Sequence, residues 1–291
     1  MSWPEDLGSV HAVRPLWASA WRRFRRNKMA MAGLAFLVAL VVAAVLAPWI
    51  TRYGPTEGIE GAYRQPPSWA HPFGTDKIGR DVFSRVVYGA RVSLRIGFAS
   101  TVISVVIGLL FGAVAGFFGG LVDTLIMRLT DVFLAIPYIV LAIAIAAVAG
   151  RSEHSIIVVL GLTGWLGLAR IVRASFLSLK QLEYVEAARA MGYSRARIMF
   201  RHILPNAGQP VIVYSTVLIG GVILSEAALS YLGVGPQAPT PAWGLMVSEG
   251  KGDLARSAHL LLLPGGAICL TVLAFMLVGD GLRDALDPKL I

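Results

Sequence analysis

Residues 29–50 read MAMAGLAFLVALVVAAVLAPWI and contain no charged side chain. A helix needs about 20 mostly apolar residues to cross the hydrocarbon core of a bilayer. Immediately before this stretch stand five basic residues, Arg22, Arg23, Arg25, Arg26 and Lys28. A secretory signal peptide is the rival interpretation, but its apolar part usually has only about 7–15 residues. The stretch is therefore predicted to span a membrane, with its start on the cytoplasmic side.

The rest of the chain has the composition of a membrane protein. Of its 291 residues, 56% are apolar and 15% are charged, whereas soluble domains have about 45–50% apolar and about 25% charged residues. This apolar content excludes a disordered chain, and the single cysteine, Cys269, excludes a disulfide scaffold. The net charge of +9 is attributed to membrane topology. No nucleic-acid partner is expected, because no basic run alternates with aromatic residues.

Six apolar segments are long enough to cross a bilayer. They are residues 29–50, 96–118, 132–149, 155–171, 210–232 and 260–278. An even number places both termini on one side, and the basic residues favour the cytoplasm. The predicted parts are a cytoplasmic N-terminal segment 1–28, the first span 29–50, an extracytoplasmic segment 51–95, a five-helix core 96–278 with a cytoplasmic loop 172–209, and a cytoplasmic tail 279–291. Backbone groups in lipid must be paired internally, so the predicted fold class is an all-α integral membrane protein.

Small residues recur every fourth position along the second span. They are Ser100, Ser104, Gly108, Gly112, Gly116 and Gly120. A stripe of this kind lets another helix backbone approach closely. The sequence predicts a packing role for these glycines and leaves open whether the partner helix belongs to this chain or to a second subunit.

Several charged residues need a partner or a polar environment. Glu226 lies in the outer third of the fifth span, where a charge costs about 2.5–3.5 kcal/mol on insertion scales. It could line a translocation path or be paired between helices, and both interpretations remain open. Near the inner end of the third span, Arg128 and Asp131 could form an i, i+3 pair. In the outer segment, Asp76 and Asp81 flank Arg80 and could satisfy its charge locally.

The cytoplasmic loop between the fourth and fifth spans is longer than a turn requires. Its pattern predicts one helix over Leu182–Met191, ended by Gly192 in a left-handed conformation. Ser194 is a suitable N-cap for a second helix, Arg195–His202, which ends before Pro205. Two interpretations stand: a basic amphipathic pair lying on anionic lipid, or a docking surface for a cytoplasmic partner.

The loop also carries a recognisable motif. Glu186-Ala187-Ala188, then Gly192, then Leu204-Pro205 resembles the EAA loop of ABC importer permeases. The resemblance implies that a short coupling helix enters a cleft of a separate ATPase, with Ala187 and Ala188 keeping its face flat. The residues implied in ATPase coupling are Glu183, Glu186, Ala187, Ala188, Met191, Gly192, Arg197, Leu204 and Pro205.

Three further segments are similar to the C-type permease subunits of oligopeptide, dipeptide and nickel importers. They are residues 71–81, 229–244 and 279–288. The resemblance implies the type I ABC importer permease fold in the cell inner membrane. It also implies a homologous second permease, two cytoplasmic ATPases that bind ATP and Mg, an extracytoplasmic substrate-binding protein, and contact with membrane lipid.

No catalytic site, metal site or cofactor of the chain's own is expected. The sequence has no GxxxxGK[ST], HExxH, GxSxG or CxxC motif, and its five histidines do not stand at metal-ligand spacing. The favoured function is the permease subunit of an oligopeptide or dipeptide importer. Nickel-chelate or glutathione import is the alternative within this class, and a secondary transporter or an intramembrane enzyme is the alternative from other classes.

Overall fold

Long apolar helices make up most of the molecule. The structure, a computed structural model, describes residues 16–287. The long helices are α2 (Lys28–Val45), α4 (Val82–Phe118), α7 (Glu153–Leu179), α10 (Gly208–Tyr231) and α12 (His259–Leu286). The shorter helices are α1 (Leu16–Arg26), α3 (Ala47–Ile50), α5 (Gly120–Ala135), α6 (Tyr138–Ala149), α8 (Glu183–Ala190), α9 (Arg195–Arg197) and α11 (Trp243–Gly250). Within residues 16–287 the only β-pairing is two isolated bridges, so the predicted all-α class is confirmed.

Five of these helices are long and apolar enough to cross a membrane by themselves: α2, α4, α7, α10 and α12. Helices α5 and α6 pass the same test only together, and they meet at an angle of 90°. The predicted number of six spans is therefore reached if this bent pair crosses the membrane as one span.

The bent pair corrects the predicted third span, 132–149, which is not one continuous helix. Helix α5 already begins at Gly120, and the chain breaks at Ile136 and Pro137. A proline has no backbone N–H and disfavours a helical conformation for the residue before it. Ile136 accordingly has an extended backbone (ψ 128°).

Two other helices are longer than the hydropathy pattern indicates. Helix α4 starts at Val82, inside the predicted outer segment 51–95, because the side chain of Asp81 caps it by accepting a 2.7 Å hydrogen bond from the Ser84 backbone N–H. Helix α7 continues to Leu179, beyond the predicted end at residue 171. Both extensions carry polar and charged residues, which a hydropathy criterion excludes from a span.

The small-residue stripe of α4 packs against α7 of the same chain. A Cβ atom at Gly112 would lie 2.5 Å from the Ala169 carbonyl oxygen, and one at Gly116 would lie 2.6 Å from Phe176 Cβ. Gly108 is similarly close to Leu168, and the Ser104 hydroxyl donates a 2.9 Å hydrogen bond to the Gly161 carbonyl. The close approach of these two helices therefore lies within the chain.

Gly120 is the exception, and its predicted packing role needs correction. It has a positive φ of 56°, and a Cβ atom there would meet nothing within 4 Å. The residue starts α5 immediately after α4 ends. A glycine is favoured there because the turn between α4 and α5 needs a left-handed backbone conformation.

The two ends of the described chain lie side by side. In α1 the Phe24 ring is buried, and a Cβ atom at Gly281 of α12 would lie 3.0 Å from it. Arg23 also donates a 3.3 Å hydrogen bond to the carbonyl of Asp287. The hydropathy pattern identifies residues 1–28 only as a cytoplasmic segment. The structure shows that part of this segment is a helix fixed to the end of α12.

Candidate functional site

The segment between α7 and α10, residues 180–207, forms a two-helix turn that we call the elbow. Helix α8 ends before Gly192, whose φ of +76° is the left-handed conformation expected for the cap. The Ser194 hydroxyl then accepts a hydrogen bond from the Arg197 backbone N–H. The predicted second helix, Arg195–His202, is divided into α9 and a π-helical turn over Ile198–Ile203. The two predicted caps are therefore present, and the second helix is wider than expected over Ile198–Ile203.

One side of the elbow is anchored to the membrane helices. Val185, Ala188, Ile198 and Ile203 are buried there in one cluster. The cluster also contains Phe176 of α7 and Val211 of α10. This placement corrects the expectation for Ala188: its side chain faces the chain's own core, so it cannot help to form a flat exposed face.

The opposite side of the elbow is open. Glu183, Glu186 and Ala187 are exposed, and Met191 is 63% exposed. Arg197 and Pro205 are also exposed, and Leu204 is half-buried. This side of the elbow therefore combines exposed carboxylates with an exposed apolar side chain.

Polar and aromatic contacts stiffen the elbow. Asn206 donates a 2.7 Å hydrogen bond to the His202 carbonyl and a 3.3 Å hydrogen bond to the Tyr184 hydroxyl, which joins the two halves. The Tyr193 ring stacks on His202, and the Arg197 guanidinium lies 4.5 Å from the centre of the Tyr193 ring. These contacts hold the two halves of the elbow against each other.

Glu226, the lone acid of the fifth span, is fully enclosed by protein. Its side chain is in α10 and has no exposed surface. Its Oε1 accepts a 2.7 Å hydrogen bond from the hydroxyl of Ser230, one turn further along the same helix. Within this chain Glu226 therefore occupies a packed position between helices.

A group of four charges links the segment before α4 to α11, and the sequence predicts only its Asp76–Arg80 pair. The guanidinium of Arg85 is 1% exposed and bridges Asp76 at 3.0 Å and Glu249 of α11 at 2.9 Å. Arg80 bridges the same two carboxylates at 2.6 and 3.1 Å. Burial raises the pKa of the Glu249 carboxyl, although the nearby Arg80 guanidinium opposes this shift. Glu249 lies more than 160 positions from either arginine, so no local pattern could predict these contacts.

This group also changes the expectation for Asp81. Arg80 is paired with Asp76 and Glu249, while the Asp81 side chain caps α4. The other Asp81 oxygen lies 2.9 Å from His71 Nδ1. The prediction that neighbouring acids pair with Arg80 is therefore confirmed for Asp76 and wrong for Asp81.

Two ion pairs connect α5 to α7. The i, i+3 spacing predicted a pair between Asp131 and Arg128. Asp131 pairs instead with Arg170, at 2.5 Å. Nearer the start of α5, Asp123 accepts two hydrogen bonds from the guanidinium of Arg173. In both cases an acid on α5 finds a base on α7, because the tertiary fold brings these helices together.

The family is shown by comparison with known proteins. Residues 108–291 match the model of the "binding-protein-dependent transport system inner membrane component". The chain belongs to this family of inner membrane transport components. A second model, the N-terminal membrane domain of oligopeptide transport permease C, matches residues 15–67.

Curated members of the family match nearly the whole chain. The oligopeptide transport system permease protein OppC of Bacillus subtilis is 44% identical over 94% of this chain and 90% of its own length. The dipeptide transport system permease protein DppC of Alkalihalophilus pseudofirmus is 42% identical over 99% and 93%. The glutathione transport system permease protein GsiD of Escherichia coli is 45% identical over 96% and 92%.

A solved structure supports the same fold. A chain of the MetNI methionine ABC transporter, in an inward-facing conformation, superposes with a TM-score of 0.58. It covers 70% of this chain and 96% of its own length at 20% sequence identity. The predicted ABC importer permease fold is thus confirmed. The chain is therefore a multi-pass permease subunit of an ABC importer, of the oligopeptide, dipeptide or glutathione type. This assignment excludes the alternative of a secondary transporter.

Proposed function

We propose that this permease carries oligopeptides or dipeptides across the cell inner membrane. Support comes from relatives named for oligopeptide and dipeptide transport, which match more than nine-tenths of the chain. Glutathione is the second candidate, because relatives of the same similarity are named for its transport. Glutathione is itself a small peptide with free carboxylates, so both candidates belong to one chemical class.

The chain acts as one part of a larger assembly. A second, homologous permease shares the path, and two cytoplasmic ATPases bind ATP and Mg. An extracytoplasmic binding protein delivers the substrate, and lipid surrounds the outer faces of the helices. In this arrangement the permease binds no cofactor and performs no catalysis, and both of its termini lie in the cytoplasm.

The elbow is the part that receives the movement of the ATPases. The observation that carries this proposal is its two-sided structure: Glu186 and Ala187 are exposed, while Val185 and Ala188 on the same helix are packed against α7 and α10. When ATP closes the ATPase pair, a displacement of the exposed side is transmitted to the membrane helices through the buried side. Glu183 and Glu186 stand in the first turn of α8, where acidic side chains stabilise a helix.

A bulky residue on the exposed side tests this coupling. We expect Ala187→Trp to abolish peptide uptake and co-purification of the ATPases, because it blocks entry of α8 into a cleft while leaving the buried side intact. Ala70→Trp, at an exposed alanine of the outer segment, is the matched control and should retain both. Normal uptake and normal ATPase binding in Ala187→Trp would contradict the proposal.

The substrate class is tested separately with the complete complex in vesicles. We expect unlabelled dipeptides and tripeptides to compete with the uptake of a labelled peptide. Competition by glutathione alone, with no effect of other peptides, would favour the second candidate.

A further inference from the structure

The ion pair between Asp131 of α5 and Arg170 of α7 is exposed in an apolar part of the molecule. Each side chain is 49% exposed. Leu129 and Val132, the close neighbours of Asp131 in sequence, are exposed and apolar. Glu226 differs sharply, since it is an intramembrane acid that the protein encloses completely.

Contacts with α4 fix the level of this ion pair. Arg170 directly follows Ala169, whose carbonyl oxygen lies against Gly112. Four residues after Gly112, a rise of about 6 Å, the Gly116 carbonyl accepts a 3.0 Å hydrogen bond from Lys180 Nζ, which marks the charged end of these helices. The pair therefore lies about one helical turn further into the apolar layer than this charged end.

This face of the chain cannot be covered by lipid. Ionised side chains at membrane depth face the bundle interior or a water-filled cavity. A long arginine can extend its head group towards the interface, but an aspartate side chain is too short to do so. The environment of Asp131 must therefore be water or another polar surface.

The helix break next to the pair leads independently to the same conclusion. Residues 131–137 are all exposed, and the break at Ile136 and Pro137 interrupts the helical hydrogen bonds. Irregular backbone at membrane depth occurs only where protein covers it or where it borders a water-filled cavity. Asp131 and the exposed break thus both lie within residues 131–137.

Most hydrogen-bonding groups of the pair have no partner within the described chain and are available to water or to a solute. A single hydrogen bond joins the two side chains, from Arg170 Nη2 to Asp131 Oδ1. A guanidinium has five N–H donors, and a carboxylate has several acceptor sites. A buried ion pair offsets its desolvation only when the remaining donors and acceptors are also satisfied, whereas water satisfies them without cost.

We propose that residues 131–137 and Arg170 line the water-filled translocation path. There the pair presents a carboxylate and a guanidinium to a passing solute that carries both a free ammonium and a free carboxylate, as a peptide does. The proposal rests on the peptide importer function given above and names residues that this solute would meet.

Accessibility to a charged thiol reagent tests the proposal in the complete complex, reconstituted in nanodiscs. In a Cys269→Ala background, single variants Asp131→Cys and Leu134→Cys are treated with a positively charged methanethiosulfonate. Leu110→Cys is the matched control, because Leu110 is 58% exposed and lies on α4 between Gly108 and Gly112, near the level of Arg170. We expect both α5 variants to react roughly 100-fold faster than the control, since a charged reagent is excluded from lipid.

Leu134→Cys leaves the ion pair intact, so the test survives if Asp131→Cys fails to assemble. Reaction of Leu134→Cys as slow as that of Leu110→Cys would overturn the proposal. The labelling requires neither ATP nor a known substrate. If the proposed peptide function is wrong, the uptake assay will show it, and the labelling result will be unchanged.

Discussion

At the scale of single residues, burial separates groups that look alike in the sequence. Glu226, Asp131 and Glu249 are all acids, but the structure places Glu226 in a packed core, Asp131 on an open face and Glu249 in a four-charge group. Their expected responses to substitution differ accordingly.

Glu226 is expected to tolerate loss of its charge but not loss of its side chain. In Glu226→Gln the side-chain oxygen can still accept the hydrogen bond from Ser230, so uptake and the melting temperature of the complex should remain unchanged. In Glu226→Ala, a cavity and an unpaired hydroxyl should lower the free energy of unfolding by about 2–4 kcal/mol. Loss of uptake in Glu226→Gln at an unchanged melting temperature would show instead that the charge itself is needed.

Arg85 is expected to be the most sensitive basic residue of the outer side. Arg85→Met leaves Asp76 and Glu249 with one counter-ion fewer in a buried place, which should cost about 3 kcal/mol in thermal unfolding of the complex. Arg64→Met is the control, because Arg64 is 44% exposed in its pair with Asp253 and should contribute about 1 kcal/mol or less. Equal effects of the two substitutions would argue against the structural role of the buried group.

At the scale of elements, the contact between α4 and α7 depends on the absence of side chains. Ser104, Gly108, Gly112 and Gly116 form a groove into which α7 fits, and the sequence predicted this stripe without identifying its partner. The spacing of four residues is a local property, whereas the choice of partner helix is not.

Gly112→Ala is expected to push the two helices apart. Its added methyl group would lie 2.5 Å from the Ala169 carbonyl oxygen, and overpacking of this kind costs about 1–3 kcal/mol. Gly221→Ala on α10 is the matched control, because a Cβ atom there meets nothing within 4 Å. Thermal unfolding of the purified complex measures both variants, and an unchanged melting temperature for Gly112→Ala would contradict the close packing.

The elbow shows which features of an element can be predicted from neighbouring residues in the sequence. The glycine cap and the serine N-cap could be predicted, because a cap depends on neighbouring backbone groups. The inward direction of Ala188 could not be predicted, since it depends on the rotation of α8 relative to α7 and α10.

At the scale of the whole molecule, the bent pair α5–α6 decides the topology. If the pair crosses the membrane, six spans place both termini on one side, but if it does not, five spans place them on opposite sides. We expect a fluorescent protein that matures only in the cytoplasm to be bright when fused at either end of the chain. Fluorescence from one end alone, at equal expression, would show that the pair does not cross.

The sequence by itself determined the membrane class, the approximate spans and the position of the elbow. These features depend on hydropathy over about 20 residues and on caps within a few residues, so they can be read locally. Pro137 also stands in the sequence as a possible break, although the hydropathy pattern of residues 132–149 conceals it.

Only the tertiary structure decided which charges meet and which faces remain open. Arg85 contacts Glu249, which is 164 positions away in the sequence, and Asp131 contacts Arg170, which is 39 positions away. Packing of α4, α5, α7 and α11 brings these side chains together. The 90° angle between α5 and α6 is likewise visible only in the structure. The physical reason is range: hydropathy and capping act between neighbours in the chain, whereas ion pairing and burial act between neighbours in space.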